Sequence, residues 1–83
     1  MTSTIEISFY PLNNDYPACV VSFVQKLRAI PDLEIETNGM STILIGPYEK
    51  LWPQLGKLMK EELVNDNCIF VFKIAPGRRE YVE

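Results

Sequence analysis

The sequence predicts an α+β domain of the ferredoxin-like type, βαββαβ, with a four-stranded antiparallel sheet in the order 4-1-3-2 and two helices on one face. Three observations carry this. Four segments have the two-residue apolar alternation of strands, and two have apolar residues at helical spacing. Turn-forming residues separate them in the order strand, helix, strand, strand, helix, strand. The 83 residues make one domain, assigned to 1–83 as a ligand-binding unit.

Thr4 to Tyr10 places Ile5, Ile7 and Phe9 on one face and Glu6, Ser8 and Tyr10 on the other. Pro11 ends the pairing, because proline has no N–H. Asn14 or Asp15 is positioned to cap the next helix, with Pro17 in its first turn. Val20, Phe23, Val24, Leu27 and Ile30 form that helix's apolar stripe, and Pro31 stops it. Leu33 to Thr37 is a second strand, acidic at Glu34 and Glu36. Asn38-Gly39 signals a hairpin, since both residues tolerate positive φ. Met40 to Ile45 is the third strand, apolar on both faces near its end, and Gly46-Pro47 is expected to break it.

A second helix runs to about Val64 with Leu51, Leu55, Leu58, Met59 and Leu63 at helical spacing. Pro53 either belongs to its first turn or bends it. Asn65 to Asn67 turn the chain into a fourth strand, Cys68 to Ile74, after which Pro76 and Gly77 open a polar tail. Helices on one side leave Glu6, Ser8, Tyr10, Glu34 and Glu36 on an open face. Thr42 and Leu44 share one side of the third strand, Ile43 and Ile45 the other, so some apolar surface must face outward. A homodimer or homotetramer joined through the sheet face or edge is expected.

Composition excludes several function classes. A chain this short buries only about 60–65 % of its unfolded surface, so association would also help stability. The net charge is −3, and the Lys and Arg residues are scattered apart from Arg78 and Arg79. Nucleic acid, which needs a concentrated basic face, is therefore not an expected partner. No apolar run approaches a membrane span, and Met1 to Glu6 lacks the pattern of a signal peptide. Cys19 and Cys68 lie far apart among apolar residues. They read as reduced thiols in a cytoplasmic protein, with a disulfide as the alternative.

With no histidine, the chain lacks the commonest general base and the commonest transition-metal ligand. Neither a Ser-His-Asp triad nor a Cys/His metal constellation can form, and no glycine-rich phosphate loop is present. No cofactor, metal or catalytic residue is assigned. Glu34/Glu36 and Glu61/Glu62 read as solvated surface. Met40, Ser41 and Thr42 follow the hairpin; either the Ser41 and Thr42 hydroxyls bind a planar heterocycle, or these are simply strand-compatible residues beside a turn. Tyr10 and Trp52 either stack on a flat ring or pack in the structure. Glu6 and Ser8 are either exposed strand residues or partners for an aminopyrimidine N–H or a thiazolium charge.

Three stretches together resemble a known family. ISFYPL (Ile7 to Leu12) is similar to its opening strand. NGMSTILIGPYEKLW (Asn38 to Trp52) resembles its central signature, and VFKIAPGRREY (Val71 to Tyr81) resembles its closing strand and basic tail. The family is the thiamine/hydroxymethylpyrimidine-binding, YkoF-like group. The resemblance implies non-covalent binding of thiamine or its pyrimidine precursor, and assembly into dimers or tetramers. Some members carry two such domains in tandem; here a homo-oligomer would supply the second. By position, Ser41 and Thr42, with Met40 beside them, are the ligand-facing candidates. Glu6, Ser8 and Tyr10 join them from the strand-face reading. Pro53 departs from the family's pattern.

The leading expectation is thus a non-catalytic carrier or buffer of the vitamin, with vitamin transport as its setting. Two alternatives stand beside it. One is an ACT-like regulatory or interaction domain that binds another small ligand or only a partner protein. The other is a cofactor-independent enzyme on a dimeric α+β barrel, which the missing histidine disfavours.

Overall fold

The computed structural model describes residues 1–80. Its elements are β1 (Thr2–Pro11), α1 (Tyr16–Arg28), β2 (Glu34–Thr37), β3 (Thr42–Pro47), α2 (Tyr48–Asn65) and β4 (Cys68–Pro76). The sheet order is β2-β3-β1-β4, with every neighbouring pair antiparallel. This is the predicted order read from the opposite edge.

The alternation in β1 decides which face is buried. Ser3, Ile5 and Ile7 lie under the helices, and Thr4, Glu6 and Ser8 point the other way. Leu44 of β3 joins them on the helix side, where α1 contributes Phe23 and Leu27 and α2 contributes Leu51 and Leu55. Burying each such side chain stabilises the fold by about 1.5–3 kcal/mol relative to leaving it exposed. Phe9, Phe23 and Phe70 extend this core toward the end of β1, with ring centroids 4.8 to 5.2 Å apart.

Several local expectations are corrected. Gly46 and Pro47 do not break β3; they stay in register with Ser3 and Thr2 because β1 begins early enough to pair them. Proline is tolerated there because it is the last strand position and the chain turns directly into α2. Gly46 serves a close approach instead: a Cβ would lie 3.2 Å from the Asp32 carbonyl oxygen and 3.3 Å from Leu33 Cδ1. Asp32 takes a φ of 59° to bring the chain in beside it. The Asn38-Gly39 turn uses no positive φ. Asn38 Oδ1 instead accepts hydrogen bonds from the N–H groups of Met40 and Ser41, at 2.7 and 3.1 Å, a side-chain mimic of a backbone turn.

Neither Asn14 nor Asp15 caps α1 through its side chain. Asn13 Oδ1 accepts the N–H of Asp15 at 2.8 Å, one step earlier. Pro53 lies beyond the first turn, inside α2. The side-chain amide of Gln54 donates to the Lys50 carbonyl at 3.0 Å in that stretch. Leu63 is 55 % exposed and lies outside the core despite its spacing. Cys68 is buried and Cys19 half-buried, and both are free thiols. Among the described residues, no helix is long and apolar enough to cross a membrane.

Candidate functional site on the open sheet face

The face away from the helices is organised by strand register. One row across the sheet reads Glu36, Ile43, Glu6, Lys73, from β2 to β4. The next reads Glu34, Ile45, Thr4, Ala75. Neighbouring strands lie about 4.8 Å apart, so Glu36 and Glu6 leave the chain on either side of Ile43. The two isoleucines form an apolar floor between carboxylates.

Glu6 is held at two points. Ser41 Oγ donates to its Oε2 at 3.2 Å, and Lys73 Nζ lies 3.7 Å from its Oε1. Glu36 has no cationic partner among the described residues. A cavity of about 540 Å³ opens above the floor, lined by Glu34, Glu36, Ile43, Ile45, Arg79 and Glu80. A second, also about 540 Å³, adjoins it and shares Glu34 and Ile45; Asp32, Pro47 and Arg78 are among its other lining residues.

The wall of both cavities comes from the chain after β4. Gly77, with φ 74°, turns the backbone over the open face, and its N–H donates to the Thr2 carbonyl at 2.8 Å. Thr4 Oγ1 donates to the Gly77 carbonyl at 2.8 Å and accepts the Arg79 N–H at 2.9 Å. Arg78 then reaches β2, where its Nη1 donates to Glu34 Oε2 at 2.8 Å and its Nη2 to Oε1. Nη1 also donates to Glu80 Oε1 at 2.7 Å. The guanidinium holds the Glu34 carboxyl below the usual carboxylate range. The same pairing pushes Arg78 upward.

The predicted site residues divide between two faces. Glu6, Ser8 and Tyr10 all lie on the open face. Ser41 joins Glu6 there, and Ser8 Oγ donates to the Met40 carbonyl at 3.4 Å. Tyr10 sits farther along β1, opposite Ile69. Thr42 is the exception: it is buried on the helix side, where its hydroxyl is 2.8 Å from that of Thr37. Period-two alternation sends the side chains of adjacent residues to opposite faces, so the Ser41 and Thr42 hydroxyls do not meet on the open face. Met40 stands at the hairpin tip, 84 % exposed.

Beneath the hairpin, Met40, Ser41 and Thr42 rim a small cavity of about 50 Å³, with Phe9, Tyr16 and Thr37. That is far short of the roughly 300–1,000 Å³ of ligand pockets. Trp52 packs on the helix side against Phe72, with centroids 5.6 Å apart, and is stacked on Tyr48. It contributes nothing to the open face.

Sequence reasoning passed over Glu36, Ile43 and Ile45 as site residues, though the alternation of LEIET and TILI carries the signal that puts them on one face. No local signal places Arg78, because its position depends on how the tail crosses the sheet. The closing stretch of the family resemblance ends at Tyr81, which lies outside the described residues.

The fold defines a ferredoxin-like α+β module, and solved structures share it. A Thermotoga maritima protein assigned provisionally to thiamine biosynthesis or salvage is 13 % identical over 89 % of this chain and 82 % of its own, with a TM-score of 0.79. A Streptococcus pneumoniae protein is 21 % identical, covering 94 % and 89 % of the two chains, with a TM-score of 0.80. A Bacillus cereus domain of unknown function is 17 % identical, covering 100 % and 83 %, with a TM-score of 0.75. The likeness is one of fold. No protein-family model and no curated protein matches the chain.

Proposed function

We propose that the chain is a non-catalytic binding module for thiamine or its hydroxymethylpyrimidine part, a distant member of the YkoF-like group. The observation that carries this reading is a cavity of about 540 Å³ over Ile43 and Ile45 with Glu36 at its side, and Glu6 next to Ile43 in the same row of the sheet. A flat ring has an apolar floor on Ile43 and Ile45. An aminopyrimidine N–H has the Glu36 carboxylate as a charge-assisted acceptor, and a thiazolium, which has no N–H, is balanced by the negative charge of Glu36 and the neighbouring Glu6 alone. Ser41 beside Glu6 can donate or accept. The cavity falls within the usual range for small-molecule sites. The sequence resemblance and the shared fold of the Thermotoga protein point the same way. Thr42, Met40 and Tyr10 have supporting rather than contacting places in this reading.

The role is carriage or buffering of the vitamin in the cytoplasm, and the missing histidine supports binding without turnover. Calorimetry with thiamine and with hydroxymethylpyrimidine tests it. Heat fitting one site per chain is expected, and silence at millimolar ligand overturns the reading.

Self-association as a homodimer or homotetramer belongs to the same proposal. β4 is an edge strand, and Ile69, Val71, Phe72 and Ile74 are exposed along both of its faces. An exposed apolar edge invites pairing with another strand. The same observation favours a second reading, an ACT-like interaction domain. Native mass spectrometry separates the two: a subunit stoichiometry with a retained small molecule supports the first, and an oligomer that takes up no added ligand supports the second.

A further inference from the structure

Glu34 has both carboxylate oxygens occupied by the guanidinium of Arg78. The two cavities of the open face meet at this contact, since Glu34 and Ile45 line both of them and Arg78 lines one. The ion pair thus stands where one continuous groove along β2 and β3 would otherwise run. The segment that delivers Arg78 is fixed at its root by the backbone and hydroxyl bonds of Gly77 and Arg79 to Thr2 and Thr4. Beyond that root, the contacts of Arg78 and Glu80 among the described residues are those of their charged side chains.

We infer that Arg78 is a built-in occupant of the groove, and that a ligand reaching Glu34 does so by displacing this guanidinium. The inference rests on the binding reading above and adds to it the chemical class of the group accepted at Glu34. A carboxylate already matched to a planar fork of two N–H donors selects for the same shape. The competing ligand group is a planar cation with two neighbouring N–H donors, such as an amidinium or a protonated aminopyrimidine. A compact ammonium ion offers the charge without the fork and competes less well.

Displacement is inexpensive for two reasons. The side chains of Arg78 and Glu34 are 44 % and 63 % exposed, and exposed pairs are weakly held. Arg78 also keeps Glu80 as a partner when it leaves Glu34, so its charge is not stranded. The contact therefore sets a modest threshold on occupancy rather than sealing the groove.

The test is an amide NMR titration of the full chain, following Glu34 and Ile45, with methylguanidinium, methylammonium and thiamine as probes. The wild type, Arg78→Gln and Glu34→Gln are compared, with circular dichroism confirming that each is folded. Arg78→Gln is expected to bind methylguanidinium about two- to fivefold more tightly than the wild type, the range set by exposed ion pairs. Glu34→Gln is expected to lose that binding, and methylammonium to bind more weakly than methylguanidinium in Arg78→Gln. Equal or weaker methylguanidinium binding in Arg78→Gln overturns the inference, as does methylammonium binding as well as methylguanidinium. If Arg78→Gln gains methylguanidinium binding while thiamine binds neither protein, the vitamin reading fails and Arg78 remains an occupant. If thiamine binds both proteins and methylguanidinium gains nothing, the reverse holds.

Discussion

Ser41 Oγ donates a 3.2 Å hydrogen bond to Glu6 Oε2 across the β3–β1 boundary. The residues are 35 positions apart in the chain, and the antiparallel pairing of β3 with β1 brings them together. The bond orients one of the two carboxylates that flank Ile43. Ser41→Ala frees Glu6 to rotate toward Lys73, its other partner. Half-exposed hydrogen bonds of this kind contribute about 0.5–1.5 kcal/mol. A small loss of stability in urea denaturation is expected, together with weaker thiamine binding by calorimetry. Unchanged thiamine affinity would remove Ser41 from the site.

Thr42 supplies the contrasting case. Its hydroxyl and that of Thr37 satisfy each other inside the protein, at 2.8 Å. Thr42→Val leaves Thr37 Oγ1 without its partner at a half-buried position on an edge strand, which costs about 0.5–1.5 kcal/mol. Replacing both by valine removes the pair together and recovers most of that loss. Urea denaturation of the two single variants and the double variant measures the coupling. Ligand affinity is expected to stay at the wild-type value in every variant that folds, because Thr42 faces the helices.

The contrast between these neighbours shows what was legible in the sequence. Alternation in TIEISFY and MSTILI placed every strand residue on one of two faces, so the architecture and the open face followed directly. The same alternation separates Ser41 from Thr42, although the two read as one polar motif after the hairpin. Gly46 reads as a breaker because glycine usually marks a turn. Its use here, making room for Asp32 and Leu33, is a contact across 13 or more residues and leaves no trace in the local pattern. Leu63 carried the helical spacing of a core residue, yet spacing reports a helix face and not how far the sheet extends beneath it. Arg78 lay beyond the last predicted strand, where only the path of the folded chain assigns it a partner.

Gly46→Ala is expected to destabilise the fold through that contact. The added methyl group would press on the backbone carbonyl of Asp32, which cannot swing aside as a side-chain tip can, and on Leu33. Overpacking of this kind costs about 1–3 kcal/mol. Thermal melting is expected to show a lowered Tm, with the far-ultraviolet spectrum of the folded state retained below the transition. A Tm equal to that of the wild type would mean that the β2 approach is looser than the contact distances imply.

The two thiols are expected to differ in reactivity and to leave a signature at alkaline pH. Cys68 is buried beside the core, and burial, with Asp66 and Glu62 adding negative charge nearby, raises its thiol above the ordinary value of 9.0. The thiolate is the reacting form, so Cys68 is slow to alkylate while the fold is intact. Cys19 is half-buried on α1 and is expected to react first with iodoacetamide at pH 8, read by peptide mass spectrometry. The linkage has a definite sign. The folded state holds the Cys68 proton more tightly than the unfolded chain does, so this stabilising difference is fully present below about pH 9 and lost as pH rises through the folded-state value. Urea midpoints are expected to fall from pH 9 upward in the wild type, and less steeply in Cys68→Ala once its own cavity cost is subtracted. Faster alkylation of Cys68 than of Cys19, or equal alkaline slopes in the two proteins, would place that thiol in water rather than in the protein interior.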